Sequence, residues 1–448
     1  MPSALIRNAT ILTMNDTLDV VEGSVSIRDG RIAAIGAEAD VAVGAHAASH
    51  DVVIEAAGDY LLPGFIQTHV HLCQTLFRGY ADDLRLLEWL RTRIWPMEAA
   101  HTRDSLTAAA RLACHELLRS GTTAVLTMET VHDTDAVFEA VSASGIRATI
   151  GKCMMDAPHP DTPPRLREET ASSIAESTAL HRSWHGTAGG RIRAAFAPRF
   201  AISCSRELLE GVAELSRTEQ ALVHTHASEQ RDEIDLVRAM SGRSNIGYLH
   251  HVGLASPRLC AAHCVWVEEA EQELLAAHDV KVMHCPGSNL KLGSGIAPVP
   301  EMLARGICVS LGADGAACNN HLDMFGEMRL AASLQAMRMH PGALTARQAL
   351  VMATRHGART LGLEQEIGSV ETGKRADLIL IARNRAHLAP DKDPFSTIVY
   401  GGRPEDVRLT MVDGEILVRE FLSTRTDSAE IAAHARQEAR GLAIRAGL

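Results

Sequence analysis

Residues 61–83 read LLPGFIQTHVHLCQTLFRGYADD, and they place two histidines at the end of a short apolar run. Successive side chains of a β-strand alternate between its two faces, so residues two apart point the same way. His69 and His71 should therefore project together from one strand end, as two ligands of a single metal ion would. The same pattern also suits two hydrogen-bonded structural histidines, and this stretch alone does not decide between them.

Seven further apolar runs follow along the chain, and helical stretches separate them. The eight runs are LPGFIQTHVH, TTAVLTM, RATIGKCMM, RIRAAFAPR, ALVHTHASE, RLCAAHCVW, VKVMHCPGS and ICVSLGADG. Strands that alternate with helices predict a parallel sheet, and eight such units predict an α/β fold of the (β/α)8, or TIM barrel, type. Polar residues gather at the C-terminal ends of these runs, which is the face that carries the active site in such barrels.

The two ends of the chain differ from this middle part because they show alternating strand patterns with tight turns. Asp29-Gly30 and Asp413-Gly414 are both typical of two-residue hairpin turns. We predict a small β-sandwich domain from residues 1–60 plus 367–425, a barrel domain over 61–366, and an amphipathic C-terminal helix over 426–448.

Composition narrows the possible partners and the compartment. The chain has 448 residues and a net charge of −11, which argues against binding to a nucleic-acid backbone. It has no apolar run of about 18 residues that could span a membrane, and its N-terminus does not resemble a signal peptide. The nine scattered cysteines predict reduced thiols and hence a cytoplasmic protein.

Candidate ligands and acid–base groups follow five of the eight predicted strands. They are His69, His71, His224, His226, Glu229, His263, His284 and Asp314. Imidazole and carboxylate ligands suit Zn²⁺ or Fe²⁺, whereas Mg²⁺ and Ca²⁺ prefer oxygen ligands only. A metal with an open position lowers the pKa of a bound water toward ~7. Histidines inside apolar strands are often structural, but their accumulation at strand ends favours a metal-dependent active site.

Several motifs of the chain resemble those of the amidohydrolase superfamily. They are PGFIQTHVH, HTHASE, AAHCVW, HCPGSNLKLGSGIAPVPEM and LGADGAACNN. The resemblance covers nearly the whole chain and points to the branch that holds adenosine-type deaminases, guanine deaminase and the s-triazine hydrolases. It implies a metal-dependent aminohydrolase that converts an adenosine-type nucleoside to its inosine analogue and ammonia. The nucleosides so implied are S-adenosylhomocysteine, methylthioadenosine, 5′-deoxyadenosine and adenosine.

The same resemblance implies the ligand set of one divalent metal, with zinc expected before iron. The implied ligands are His69, His71, His226 and Asp314. Superfamily members with two metals generally bridge them through a lysine on strand four, and RIRAAFAPRF has no lysine. Where the superfamily usually has Thr-Asp on strand eight, this chain has Ala313-Asp314. The aspartate that serves as the metal ligand is therefore retained.

Three residues carry the chemistry that the resemblance implies. Glu229 matches the acid that gives a proton to the ring nitrogen, and His263 matches the histidine that orients the water. Asp314 takes the proton of the attacking water and passes it to the leaving ammonia. His224 and His284 receive no role.

The segment LFRGYADDLRLLEWLRTRIWPMEAAHT resembles the substrate loop of the adenosine-type enzymes. By that likeness Trp89 lines the pocket and Glu98 holds the ribose hydroxyl groups; the alternative is a surface helix with Trp89 packed inward. Arg199 stands where the family often has histidine, and it is either a contact to the far end of the substrate or a structural ion-pair partner.

Other functions keep the same ligand set. One is an s-triazine amino- or chlorohydrolase, and another is a guanine-type base deaminase. Glu98 distinguishes a nucleoside deaminase from a triazine hydrolase, because a triazine has no ribose hydroxyl groups that could donate hydrogen bonds to a buried carboxylate. A non-catalytic scaffold relative is disfavoured by the intact ligand set. Relatives in this branch are often oligomers, so a homo-oligomer is expected.

Overall fold

The computed structural model describes residues 3–39, 50–157 and 159–448. Its strands are β1 (Ala4–Leu12), β2 (Val20–Arg28), β3 (Arg31–Gly36), β4 (Val52–Glu55), β5 (Tyr60–Pro63), β6 (Phe65–His71), β7 (Thr122–Met128), β8 (Arg147–Met154), β9 (Ile192–Pro198), β10 (Val223–Ala227), β11 (Leu259–His263), β12 (Lys281–His284), β13 (Val309–Leu311), β14 (Asp314–Gly315), β15 (Leu378–Ile381), β16 (Val407–Val412), β17 (Glu415–Arg419) and β18 (Leu422–Ser423).

Helices connect the strands of the barrel. The α-helices of six residues or more are Trp95–Ala100, Arg103–Arg119, Thr134–Ser144, Thr170–Trp184, Arg206–Glu219, Arg231–Ser241, Asn245–His251, Glu269–Ala277, Pro286–Lys291, Val299–Ala304, Met324–Arg338, Ala346–Ala353, Arg355–Thr360 and Ser428–Ala446. Local caps explain several of their ends. Thr102, for example, accepts a hydrogen bond from the backbone N–H of Ser105 in a reciprocal capping box.

Strands β6 to β13 pair in chain order, and every pair is parallel. Strand β14 then pairs with β6, and only Gly312 and Ala313 separate it from β13. The eighth strand is therefore bonded on both sides, and the sheet closes into the predicted TIM barrel. A Cβ on Gly312 would lie 2.6 Å from the carbonyl oxygen of His69. The close approach at this join thus requires glycine.

The strands from the two ends of the chain form a second sheet. Its order is β18-β17-β16-β15-β5-β1-β2-β3, with β4 beside β1. The sheet curls over a shared apolar core, and the backbone N–H of Ala376 donates to Gly30 at 2.9 Å. The structure thus confirms a β-module from both termini, but it joins the strands of the predicted β-sandwich in one continuous sheet. Both predicted Asp-Gly turns have positive φ at their two residues, as a type I′ hairpin requires.

The C-terminal helix Ser428–Ala446 begins at Asp427, whose carboxylate accepts from the backbone N–H groups of residues 429 and 430. It packs on the helices Trp95–Ala100 and Arg103–Arg119, next to the barrel mouth. This confirms the predicted capped helix. Within the described residues, every helix is too short or too polar to cross a membrane. The exact domain boundaries stay a prediction.

Candidate active site

The four predicted metal ligands lie together at the C-terminal end of the barrel. His69 and His71 end β6, His226 lies on β10, and Asp314 begins β14. Their ligand atoms all lie within 4.8 Å of one another, and all four side chains are buried. The Nε2 atoms of His69 and His71 are 3.3 and 3.2 Å from Oδ1 of Asp314. We call these four residues the ligand cluster.

The second nitrogen of each histidine is held by a neighbour. His71 Nδ1 lies 2.7 Å from the carbonyl oxygen of Met128, and His226 Nδ1 lies 2.7 Å from that of Arg199. A carbonyl accepts only from an N–H group, so both rings carry their proton on Nδ1 and turn the lone pair of Nε2 inward. His69 Nδ1 lies 2.6 Å from Nε2 of His224. His224, which had no predicted role, therefore orients a predicted ligand.

The lone pairs of the cluster fit a metal cation. The Nε2 atoms of His71 and His226 face each other at 3.3 Å, and the carboxylate of Asp314 lies beside them. Burial lowers the pKa of His69 to about 4, so that this ring is neutral at pH 7. The Asp314 carboxylate outweighs burial and raises the pKa of His71, so either a proton on Nε2 of this ring or a metal cation relieves the repulsion between these acceptors. Three imidazoles and one carboxylate therefore form a possible metal site.

Glu229 and His263 lie beside the ligand cluster. Nε2 of His263 is 3.6 Å from Oε2 of Glu229 and 3.8 Å from Oδ2 of Asp314. Burial raises the pKa of Glu229 to about 7; the charge of His263 opposes this rise, and Asp314 adds to it. Glu229 can thus both hold and release a proton near neutral pH. His263 and Asp314 have φ values of 70° and 63°, a strained conformation for residues other than glycine and one that is frequent at functional sites.

Asp314 combines two opposite electrostatic effects. Burial alone raises the pKa of its carboxyl group, but the adjoining side chains of His69 and His71 outweigh burial. Its pKa therefore lies well below the ordinary value, and the group is a carboxylate at neutral pH. A carboxylate that is ionised at neutral pH can both bind a cation and accept a proton from a strongly polarised water.

The structure adds positioning residues that the sequence analysis missed. Ser288 donates to Oδ2 of Asp314 at 2.7 Å, and Asn289 Oδ1 lies 2.9 Å from Nδ1 of His263. Glu129, directly after β7, accepts from the backbone N–H groups of residues 72 and 73 and so holds the turn after His71. Ser288 and Asn289 belong to HCPGSN, directly after strand seven. This position at the C-terminal end of a barrel strand could have been used to predict that both residues lie near the active site.

A narrow cavity of about 280 Å³ of unfilled space adjoins the ligand cluster. Trp89, Leu90, Arg199 and Phe200 form its wall, and Glu229 and Asp314 lie on its floor; we call it the inner cavity. Trp89 is buried and lines this space, while its contact with a substrate stays a prediction.

His284 ends β12 but is absent from the lining of the inner cavity. It is fully buried, and neither ring nitrogen has a hydrogen-bond partner among the described residues. Burial lowers its pKa to about 3, so this imidazole is neutral.

Glu98 and Arg199 form a buried two-point ion pair. The Arg199 guanidinium donates at 2.6 Å to Oε2 and at 3.2 Å to Oε1 of Glu98. Gln74 donates to Oε1 at 3.1 Å. Arg199 is thus an ion-pair partner, which is one of the two roles that the sequence left open, and it also lines the inner cavity; its contact with a substrate stays a prediction. Its Nε atom is buried and has no partner within the described part of the chain.

A parallel barrel with a buried histidine–aspartate cluster beside a titratable glutamate defines a barrel hydrolase. The model of the amidohydrolase family matches residues 60–417, and the chain belongs to that family. It is 40% identical over 447 residues to the 5′-deoxyadenosine deaminase of Methanosarcina mazei, with 99% of each chain covered.

Two solved structures share this fold. A zinc-bound adenosine deaminase from Xanthomonas campestris has a TM-score of 0.91 and 32% identity, with 98% of each chain covered. The zinc complex of an atrazine chlorohydrolase from Arthrobacter aurescens has a TM-score of 0.89 and 26% identity, covering 97% of this chain and all of its own. The fold is therefore common to deaminases and to a triazine hydrolase, and the likeness of fold does not choose between them.

Proposed function

We propose that the protein is a metal-dependent aminohydrolase that deaminates adenosine-type nucleosides to the inosine analogue and ammonia. One observation carries this proposal: Glu229, with a pKa near neutrality, lies at an intact ligand cluster. The chain that holds it is similar along its whole length to a 5′-deoxyadenosine deaminase. The proposed substrates are 5′-deoxyadenosine, methylthioadenosine, S-adenosylhomocysteine and adenosine.

The residues act on water and on the purine ring. A divalent ion in the ligand cluster, proposed to be a single zinc, supplies a water of lowered pKa when bound. His263 orients the attacking water, and Asp314 accepts its proton and passes it to the leaving ammonia. Glu229 in its acid form donates a proton to the ring nitrogen beside the attacked carbon, which keeps negative charge from building up on the ring.

We propose that the ion pair of Glu98 and Arg199 binds a ribose: Arg199 lines the inner cavity, and the buried Glu98 lies directly behind it. Oε1 of Glu98 already accepts from Gln74 and Arg199, while Oε2 accepts only from Arg199 among the described residues. A carboxylate oxygen accepts two hydrogen bonds, so Oε2 keeps one free position. The unpartnered Nε–H of Arg199 adds a donor. We propose that this acceptor and this donor recognise the two ribose hydroxyl groups.

The rival functions differ in the pocket and in the leaving group. A triazine or a free guanine base has no ribose, so binding it would leave the remaining acceptor position of Glu98 Oε2 and the Nε–H of Arg199 without partners. The test is ammonia release by the zinc-loaded protein from adenosine, 5′-deoxyadenosine, methylthioadenosine, S-adenosylhomocysteine, guanine and atrazine. Chloride is followed as well with atrazine. Turnover of the nucleosides alone supports the proposal, whereas turnover of guanine or atrazine without the nucleosides contradicts it.

We further propose that the protein works in a reducing compartment such as the cytoplasm. All nine cysteines lie in the described part of the chain, and each is buried and unpaired. Small molecules are its proposed partners, and a homo-oligomer is proposed from the family resemblance alone.

A further inference from the structure

A hydroxyl group without a role in the proposed reaction reaches the proton donor of that reaction. It belongs to Ser294, in the loop 292–298 between the helices Pro286–Lys291 and Val299–Ala304. Its oxygen atom lies 3.3 Å from Oε1 of Glu229. Both residues are only 2% exposed, so water does not compete strongly for this contact.

The direction of the hydrogen bond between Ser294 and Glu229 follows from the side chain of Gln230. Nε2 of Gln230 donates at 3.0 Å to the carbonyl oxygen of Leu292, and this contact identifies the amide nitrogen, because a carbonyl oxygen only accepts. The same nitrogen has a second N–H group, which donates to the Ser294 oxygen at 3.2 Å. Since that oxygen accepts from Gln230, its own hydrogen atom is available for donation to Oε1 of Glu229.

Backbone contacts hold Ser294 in this position. The indole N–H of Trp266 donates to its carbonyl oxygen at 2.7 Å, and its own backbone N–H donates to the carbonyl oxygen of Asn289 at 2.8 Å. A Cβ on the next residue, Gly295, would lie 2.9 Å from the ring of Trp266, so this close approach requires glycine. The backbone of Ser294 is thus fixed by contacts other than the one with Glu229.

The two carboxyl oxygens of Glu229 therefore have different surroundings. Oε1 accepts from the hydroxyl group of Ser294, whereas Oε2 lies 3.6 Å from Nε2 of His263. In a protonated carboxyl group one oxygen carries the hydrogen atom and the other remains an acceptor. A hydrogen atom on Oε1 would face the hydrogen atom of the Ser294 hydroxyl group, so the acid form is expected to carry its proton on Oε2.

We propose that Ser294 is a positioning residue that keeps the acid proton of Glu229 on Oε2, next to His263. This inference rests on the proposed function, in which Glu229 gives that proton to the ring nitrogen of the substrate. Without the hydroxyl group of Ser294, the carboxyl group can carry its proton on either oxygen and has more freedom to rotate. A smaller share of its conformations then has the proton in the position from which it is transferred.

The first experiment measures kcat and KM of Ser294→Ala and Ser294→Thr, with the zinc-loaded full chain and 5′-deoxyadenosine. Ser294→Ala is expected to lower kcat about three- to tenfold, the usual worth of one hydrogen bond, with little change in KM. Ser294→Thr keeps the hydroxyl group and is expected to restore most of kcat. An unchanged kcat in Ser294→Ala, or an equal loss in both variants, would overturn the inference.

Ser216→Ala is the matched control. The Ser216 hydroxyl group is also buried, donates to the carbonyl oxygen of Ala221 at 2.8 Å and accepts from Arg258 at 3.2 Å. The control thus loses the same number of hydrogen bonds, but near the N-terminal end of β10, away from the ligand cluster. It is expected to keep its kcat. A loss as large as that of Ser294→Ala would indicate a general effect of lost hydrogen bonds and would overturn the inference.

The pKa of Glu229 provides a second readout, which needs no turnover. Burial, Asp314 and Glu233 raise this pKa and His263 lowers it, and all of these influences remain in Ser294→Ala. The hydrogen bond from Ser294 favours the carboxylate, so its loss should raise the pKa by about 0.5 to 1 pH unit. Infrared difference spectra, each taken against the same protein with Glu229→Gln added, measure the titration.

The outcomes of the titration separate the inference from the proposed function. The titration midpoint is expected to be higher in Ser294→Ala than in the unchanged protein and Ser294→Thr. The same midpoint in all three proteins would overturn the inference, even if the protein deaminates nucleosides. A higher midpoint in a protein that turns over no nucleoside would instead support the action of Ser294 on Glu229 and contradict the proposed function.

Discussion

The ligand cluster and the wall of the inner cavity are built in different ways. Three of the four ligands belong to β6 and β10, and backbone carbonyls hold the rings of His71 and His226. The wall instead comes from the segment 86–94, which includes a π-helical turn, and from the connection after β9. Its polar part is held by side chains, through Glu98 and Arg199.

The ligand cluster is therefore expected to determine the reaction, and the wall is expected to determine which substrates bind. Groups held by the backbone of barrel strands keep their geometry when neighbouring side chains change. A wall held by pairs of side chains changes its shape and polarity with single substitutions. We therefore expect changes at the cluster to abolish turnover, and changes at the wall to alter stability or the choice of substrate.

The largest expected effect tests the chemistry at the cluster. Glu229→Gln keeps the size of the side chain but removes the acid, so kcat should fall by about 10²- to 10⁴-fold. The metal content should stay at that of the unchanged protein, since Glu229 is outside the ligand cluster. Ammonia release and elemental analysis on the same sample provide both values. A variant that keeps most of its activity would show that Glu229 is not the proton donor.

The second-largest expected effect tests the ion pair between Glu98 and Arg199. Arg199→Met leaves the Glu98 carboxylate buried without its partner, which should cost about 3–5 kcal/mol of unfolding free energy. Adding Glu98→Gln removes the unpaired charge and should restore most of that loss. Urea unfolding of the two variants and of the unchanged protein measures the difference. If the double variant is no more stable than Arg199→Met, the pairing does not explain the loss.

A smaller effect tests the support of the cluster. His224→Gln removes the ring that orients His69, and it should weaken metal binding about 10- to 100-fold. Competition with a chelator of known affinity measures this change without any assay of activity. His251→Gln, a substitution of an exposed histidine, is the matched control. The same chelator midpoint in both variants would show that His224 does not act on the metal site.

The smallest expected effect is the change of kcat/KM with pH. Because burial raises the pKa of Glu229 to about 7, the acid form that donates the proton persists up to about that pH. Above it the fraction of acid form falls tenfold per pH unit, so kcat/KM should drop about tenfold between pH 8 and 9. A profile of kcat/KM from pH 6 to 9 measures this decline. A flat profile over that range would contradict a proton donor with this pKa.

Local patterns in the sequence were sufficient for a large part of the fold. The spacing of His69 and His71 predicts a shared strand face, and Asp29-Gly30 predicts a hairpin; both follow from backbone geometry over a few residues. The eight apolar runs matched the barrel strands for the same reason. The break of the last strand at Gly312 was missed, because it depends on the approach of His69 from β6.

The sequence predicted the residues of the candidate site that lie at the ends of barrel strands, but it did not predict the contacts made by the loops. His69, His71, His226 and Asp314 meet because the C-terminal ends of parallel strands share one face of a barrel. Glu98 and Arg199 are 101 residues apart, and each was interpreted separately. Their ion pair depends on how a loop folds over the barrel mouth, which no periodicity along the chain records.

The sequence by itself determined the barrel, the β-module from both termini, the C-terminal helix and the family of the protein. These features follow from repeats of two or 3.6 residues, from turn chemistry and from motifs at strand ends. Only the tertiary structure decided that His224 orients His69, that Arg199 pairs with Glu98, and that Leu90 and Phe200 line the inner cavity. Those contacts join distant segments by packing, and packing depends on the shape of the whole molecule.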